Sequence, residues 1–152
     1  IEDYEKKHAM IQEASHLLSV KPDQVDSGIR KLLDANAALK SKLIAFQRQI
    51  GEEKAAAIPE GTRKICFLEP NFQSDELREM CNKAAVKAEL VLGLLPIREG
   101  LCQYVLISNQ ADVRELGKAL NEEFNGKGGG QPSMVQGTLM ADGEEIKAYF
   151  LE

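Results

Sequence analysis

The chain has 152 residues, 43% apolar and 28% charged, which is enough for one ordinary domain with a hydrophobic core. Its formal net charge of -5 argues against nucleic-acid binding through a broad basic face. No apolar run approaches membrane-spanning length, and no secretory signal opens the chain.

Charge is similarly balanced along the chain. Residues 1–53 carry eight Lys/Arg and nine Asp/Glu, which leaves eleven and fifteen for residues 54–152. Any contact with nucleic acid is therefore expected to be local. Three cysteines, Cys66, Cys81 and Cys102, are odd in number and form no CxxC pair. They read as small buried hydrophobes in a reducing setting, which predicts a cytoplasmic protein. The first residue is Ile1, which suggests a C-terminal piece of a longer protein, a processed chain, or a chain trimmed at one end.

Residues 1–54 read as helical. A first helix is predicted from Glu2 to Val20, with Met10, Ile11, Ala14, Leu17 and Leu18 on one face. "SVKPDQ" breaks it, and Pro22 and Asp23 suit the start of the next helix. In that second helix Val25, Ile29, Leu32, Asn36, Leu39, Leu43, Phe46 and Ile50 alternate spacings of four and three. This is a heptad seam with one polar member, Asn36, the kind of residue that fixes register. The pattern predicts an antiparallel helical hairpin, and either packing within it or pairing with a second chain as a homodimer. "EKAAAIPEGT" reads as the helix end and a hinge.

Residues 62–152 alternate in type. "RKICFL" reads as a strand and "QSDELREMCNKAAVKA" as a helix with Ser74 as its N-cap. "ELVLGLLP" and "LCQYVLIS" read as strands joined at "IREG", and "ADVRELGKALNEEF" as a helix. "EEIKAYFLE" reads as a closing strand, with Ile146, Ala148 and Phe150 alternating. The order β-α-β-β-α-β predicts an α+β domain with a mixed four-stranded sheet, of the ferredoxin-like pattern. Yet "ICFL", "LVLGLL" and "YVLI" are continuous apolar runs, which implies that both sheet faces are covered. With two helices on one side, the other face would need a second subunit or the helical hairpin.

"GKGGGQPSMVQG", residues 126–137, is the most distinctive stretch. Read as a turn, its successive N–H groups form a concave anion site, with Lys127 adding charge and Ser133 and Gln136 adding hydrogen-bonding groups. A solvated loop is the competing reading. The stretch matches neither the P-loop nor the dinucleotide fingerprint.

The stretch, at a helix end and before a final strand, resembles the glycine-rich signature of the DHH-associated domain. That domain closes alanyl-tRNA synthetases, long-form AlaX editing proteins and DHH-type phosphoesterases. The resemblance covers residues 62–152, and the preceding helices resemble the linker to the editing domain in the first two groups. The phosphoesterases carry histidine directly after the glycines, where this chain has Gln131. Val135-Gln136-Gly137 is closer to long-form AlaX than to the synthetase ending.

The resemblance implies a C-terminal module that holds tRNA, forms a homodimer, or both. It implies tRNA(Ala) as a partner, contacted by Lys127, Gly128, Gly129, Gly130, Gln131, Ser133, Gln136 and Gly137. It implies zinc and hydrolysis of mischarged tRNA only in a separate editing domain bearing HxxxH and CxxxH clusters. Neither cluster is present, and His8 and His16 would lie roughly 12 Å apart along a helix. No metal ligands and no catalytic residues are predicted within these residues. The adjacent pairs Glu52-Glu53, Glu122-Glu123 and Glu144-Glu145 read as solvated charges. A phosphoesterase substrate-holding domain is the alternative of another class. Arg63, Lys64, Lys83, Lys87, Arg114 and Lys118 are candidates for a basic patch.

Overall fold

A computed structural model describes all 152 residues. They form two compact units, Ile1–Leu43 and Ile44–Glu152. The first contains helix α1 (Glu2–Leu18), a 3-10 turn at Pro22–Gln24, and residues 25–43 of helix α2 (Val25–Ala56). Ser19 ends α1 in the left-handed conformation, at φ 54°. The Ser15 hydroxyl donates to the Val20 carbonyl at 2.5 Å and closes the corner. Leu18 and Val20 pack there against Gly28.

Away from that corner the first unit has almost no buried surface, and Ser15 is the one buried residue of α1. The seam is as regular as its spacing predicts, but Ile29, Leu32, Leu39 and Leu43 are exposed. A hairpin closed on its own seam is therefore not what forms.

The second unit begins with residues 44–56 of α2. It continues with β1 (Thr62–Leu68), α3 (Ser74–Ala84), β2 (Ala88–Arg98), β3 (Leu101–Ile107), α4 (Arg114–Glu123), β4 (Lys127–Gln131), β5 (Met134–Leu139) and α5 (Gly143–Leu151). The mixed sheet has five strands in the order β1-β2-β3-β5-β4. β1 and β2 are parallel, and every other pair is antiparallel. A helical region followed by a mixed α/β sheet domain is the architecture expected from the sequence. The differences are two further strands, β4 and β5, and a helix, α5, where a closing strand was expected.

Both faces of the sheet are covered from within the chain, which explains the continuous apolar runs. On one face Phe67, Val91, Val105 and Ile107 meet Leu77, Met80, Cys81 and Ala84 of α3, with Ala55 and Ile58. On the other, Leu92, Leu94, Leu106, Val135 and Leu139 meet Val113, Leu120, Ile146 and Phe150 from the α4 and α5 region. Ser74 is the first residue of α3, with Gln73 as N-cap.

α5 corrects the expected closing strand at residues 144–152. Ile146 and Phe150, four apart, satisfy a helical period as well as an alternating one, and both are buried. Ala148 distinguishes the two, because a strand would bury it and here it is exposed. Asp142 holds the N-cap position, but its carboxylate accepts from the Gly100 N–H at 2.7 Å rather than from the helix, and Glu144 and Glu145 occupy the positive first turn.

Within the second unit, α2 docks through small and polar residues rather than through its seam. Gln47, Gly51 and Ala55 are buried, at a spacing of four, while Phe46 and Ile50 are exposed. A side chain at Gly51 would reach the Cβ of Met80 at 3.1 Å, so this glycine permits close helix approach. The Gln47 amide uses both ends, donating to the Asn71 carbonyl at 2.6 Å and accepting from the Gln73 N–H at 3.2 Å.

Candidate nucleic-acid interface

The glycine stretch is a β-hairpin. Lys127–Gln131 pairs with Met134–Leu139 across a turn made of Pro132 and Ser133. A turn with its N–H groups converging on one point is therefore not what the glycines form. In an antiparallel ladder those groups alternate between the partner strand and the open edge. The hairpin is held at both ends. Asn125 leaves α4 in the left-handed conformation, φ 49°, and the Gly126 N–H donates to the Asn121 carbonyl at 2.7 Å. At the turn, the Ser133 carbonyl accepts from the Ser108 N–H at 3.1 Å and the Pro132 carbonyl from the Val113 N–H at 2.8 Å.

Register sorts the expected contact residues onto two sides. Residues directly opposite in neighbouring antiparallel strands share a face. Tyr104, Gly137 and Gly128 form one row, and Leu106, Val135 and Gly130 another. These rows face α4. Gln103, Thr138 and Lys127 form a row on the α3 side, as do Val105, Gln136 and Gly129, and then Ile107, Met134 and Gln131. Lys127, Gly129, Gln131 and Gln136 thus come together on one face. Gly128, Gly130 and Gly137 lie on the other, and Ser133 lies in the turn.

On the α4 side the glycines are demanded by packing. A Cβ at Gly128 would lie 2.5 Å from the Gln136 carbonyl oxygen and 2.7 Å from the Tyr104 hydroxyl. At Gly130 and Gly137 it would meet backbone oxygens at 2.2 and 2.1 Å. The Tyr104 hydroxyl donates to Asn121 Oδ1 at 3.1 Å, and Asn121 Nδ2 donates to the Gly128 carbonyl at 3.4 Å. Burial raises the Tyr104 hydroxyl above the usual phenol range, with the bond to Asn121 acting the other way. A small cavity of about 180 Å³ between α4 and β4 is lined by Arg114, Lys118, Asn121 and the three consecutive glycines.

On the α3 side the situation is reversed. A Cβ at Gly129 would meet nothing within 4 Å, and its backbone is not in the left-handed region. Lys127, Gly129, Gln131 and Gln136 are all exposed there. Beside them, against α3, lies a cavity of about 440 Å³ that reaches Gln103, Gln136 and Thr138.

The candidate basic residues do not form one patch. Lys83 pairs with Glu52 at 2.8 Å, and Lys87 donates to the Ala56 carbonyl at 2.8 Å. Lys64 donates to the Phe150 carbonyl at 3.0 Å, and Arg63 on β1 is exposed. Only Arg114 and Lys118 come beside the glycine strand, each paired with a carboxylate, Asp112 at 2.7 Å and Glu115 at 2.9 Å. The Arg114 guanidinium holds Asp112 down to about 2.

No group of three or more His, Cys, Asp or Glu comes together, so the residues present do not fit a zinc ion. His8 and His16 lie exposed on α1, with His8 stacked on Tyr4. Burial pushes the Cys66 thiol up to about 12 and raises those of Cys81 and Cys102. No helix is long and apolar enough to cross a membrane.

No family model matches the chain. No curated protein matches it either. Among solved structures it is similar to the C-Ala domain of alanyl-tRNA synthetase from Aquifex aeolicus, at 17% identity and a TM-score of 0.46. The likeness covers 62% of this chain and 90% of that one.

Sequence reading did not single out Gln103 and Thr138. The available signal was their polarity within otherwise apolar strands, "LCQYVLI" and "MVQGTL".

Proposed function

We propose that this chain holds tRNA, as a C-terminal module of the alanyl-tRNA synthetase and AlaX group, through the α3 side of the β4–β5 hairpin. The partner in this reading is tRNA(Ala), and the parent is a synthetase or a long-form AlaX editing protein. One observation carries the reading. Gly129 is the glycine of the stretch that neither packing nor backbone conformation requires. Glycine in a strand costs roughly 0.5–1 kcal/mol relative to alanine, so an unneeded one marks close approach of something else to the backbone.

Lys127, Gln131 and Gln136 surround that bare spot with one cation and two amides. Lys127 supplies a phosphate contact, and the amides supply neutral donors and acceptors. The overall charge of -5 makes this a contact of modest affinity that depends on salt.

The test is equilibrium binding to tRNA(Ala) and to an unrelated tRNA, at low and moderate salt. Lys127→Ala should weaken binding and reduce the salt slope by about one. A folded protein that binds neither tRNA at low salt would sink the proposal.

A second reading, self-association, is favoured by the exposed seam of the first unit. Ile29, Leu32, Leu39 and Leu43 are 43–65% exposed along one helix. Spacing of this kind matches a parallel or antiparallel partner helix. Sedimentation equilibrium should show a concentration-dependent dimer that Leu32→Asp abolishes while the chain stays folded by circular dichroism. A monomer at every concentration would contradict this.

A further inference from the structure

The cavity beside α3 has a chemistry of its own. Its volume of about 440 Å³ falls in the range of small-ligand sites, roughly 300–1,000 Å³. Its floor is the row of Val105 and Gln136 and the row of Gln103 and Thr138, and Leu77 of α3 stands at one wall. Val105 and Leu77 are buried and present apolar surface. The hydrogen-bonding groups are neutral. The Gln103 Oε1 is occupied by the Ser74 hydroxyl at 2.8 Å, which fixes that amide and leaves its Nε2 as a donor. Gln136 and Thr138 make no side-chain hydrogen bond within the protein and are free to serve a ligand.

The one cation at the wall, Arg78, already donates to Asp75 Oδ1 at 2.7 Å. A phosphate would find no free charge inside. A planar, uncharged group with donors and acceptors on its edge fits better. Its ring faces would lie on Val105 and Leu77, and its edge would meet two amides and a hydroxyl. Lys127 lies directly across the strand from Thr138, outside the cavity and on the same face. At the end of the row of Val105 and Gln136, next but one to Lys127 along β4, Gly129 leaves the sheet bare.

We infer that this cavity receives one unpaired nucleobase, read at its edge by Gln136, Thr138 and the Gln103 amide, while the attached sugar-phosphate chain crosses Gly129 toward Lys127. The inference rests on the proposed RNA contact of the hairpin and adds to it a site for a splayed-out base. Unpaired bases of this kind are what most sequence-dependent RNA recognition uses. Side-chain amides present a donor and an acceptor together, the pattern that matches a base edge.

The test uses the whole 152-residue chain. Side-chain amide resonances of Gln103 and Gln136 are followed by NMR during titration with tetraadenylate, tetrauridylate and ribose 5-phosphate. The nucleotides should shift both amides, and the base-free sugar phosphate should leave them in place. In parallel, Gln136→Leu and Thr138→Val are each measured for tetranucleotide affinity, with a loss on the order of tenfold expected for Gln136→Leu. Equal shifts with ribose 5-phosphate, or unchanged affinity in both variants, would overturn the inference. If Lys127→Ala weakens tRNA binding while Gln136→Leu does not, the base site fails and the hairpin contact stands. If the folded chain binds no RNA at all, both fail. The NMR arm reads the unaltered protein, so a variant that folds poorly does not remove the test.

Discussion

On the α4 side of the hairpin, a methyl group at position 128, 130 or 137 would land between 2.1 and 2.5 Å from a backbone oxygen. On the α3 side, at position 129, it would touch nothing within 4 Å. Four glycines within ten residues thus answer to two different requirements. Those facing α4 let the strand lie close to Tyr104 and to its own partner strand. The one facing α3 makes way for no side-chain contact within the protein. A run of glycines is usually treated as one flexible unit, and here the register divides it.

The largest expected effect lies on the crowded side. Gly128→Ala forces the new methyl against the Gln136 carbonyl and the Tyr104 hydroxyl, and should destabilise the fold by about 1–3 kcal/mol. Urea unfolding midpoints measure this. An unchanged midpoint would mean that the hairpin is looser than its packing requires.

A smaller effect is expected from Tyr104→Phe. It removes the donor to Asn121, which itself donates to Gly128, and should cost about 0.5–1.5 kcal/mol in the same assay. The smallest concerns the exposed Asp112–Arg114 pair. Asp112 is lowered from the ordinary 3.8 to about 2, first by its side-chain bond to Arg114. A lowered carboxylate contributes stability that is present above its unfolded value and lost as pH falls through the folded one. Asp112→Asn should therefore lower stability slightly at neutral pH, and the deficit should shrink as pH falls from 3.8 toward about 2. A deficit that stays the same down to the lowest pH would place the residue in some other role.

Much of the fold was legible in the sequence. β1, β2 and β3 follow from apolar runs bounded by turn residues, and α3 and α4 from their spacing of three and four. Four features were not, β5 (Met134–Leu139) among them, since it lies inside the stretch that reads as a turn or loop. β4 is "KGGGQ", with no residue that favours a strand, and it forms because β5 offers a partner. α5 was hidden because Ile146 and Phe150 fit two periods at once. The docking face of α2 was hidden because Gln47, Gly51 and Ala55 carry little apolar signal, while the conspicuous seam stays exposed.

The candidate site was legible only in its composition. The glycine stretch, Lys127 and Gln136 could be named from the sequence. Their division between two faces depends on register, and register depends on which residues form the turn. Gln103 and Thr138 come from strands elsewhere in the chain order, so only the sheet brings them beside Gln136. The charge balance was also informative, since most candidate cations turn out to be held by neighbouring carboxylates or carbonyls.

The most direct test of the account is Gly129→Val, measured for both unfolding midpoint and tRNA(Ala) affinity beside the unaltered chain. Stability should hold or rise slightly, because the side chain enters open space on a strand and valine favours strands. Affinity should fall on the order of tenfold or more, because the branched side chain stands where the RNA backbone would lie. Unchanged affinity in a stable variant would contradict the claim that Gly129 is bare for a ligand.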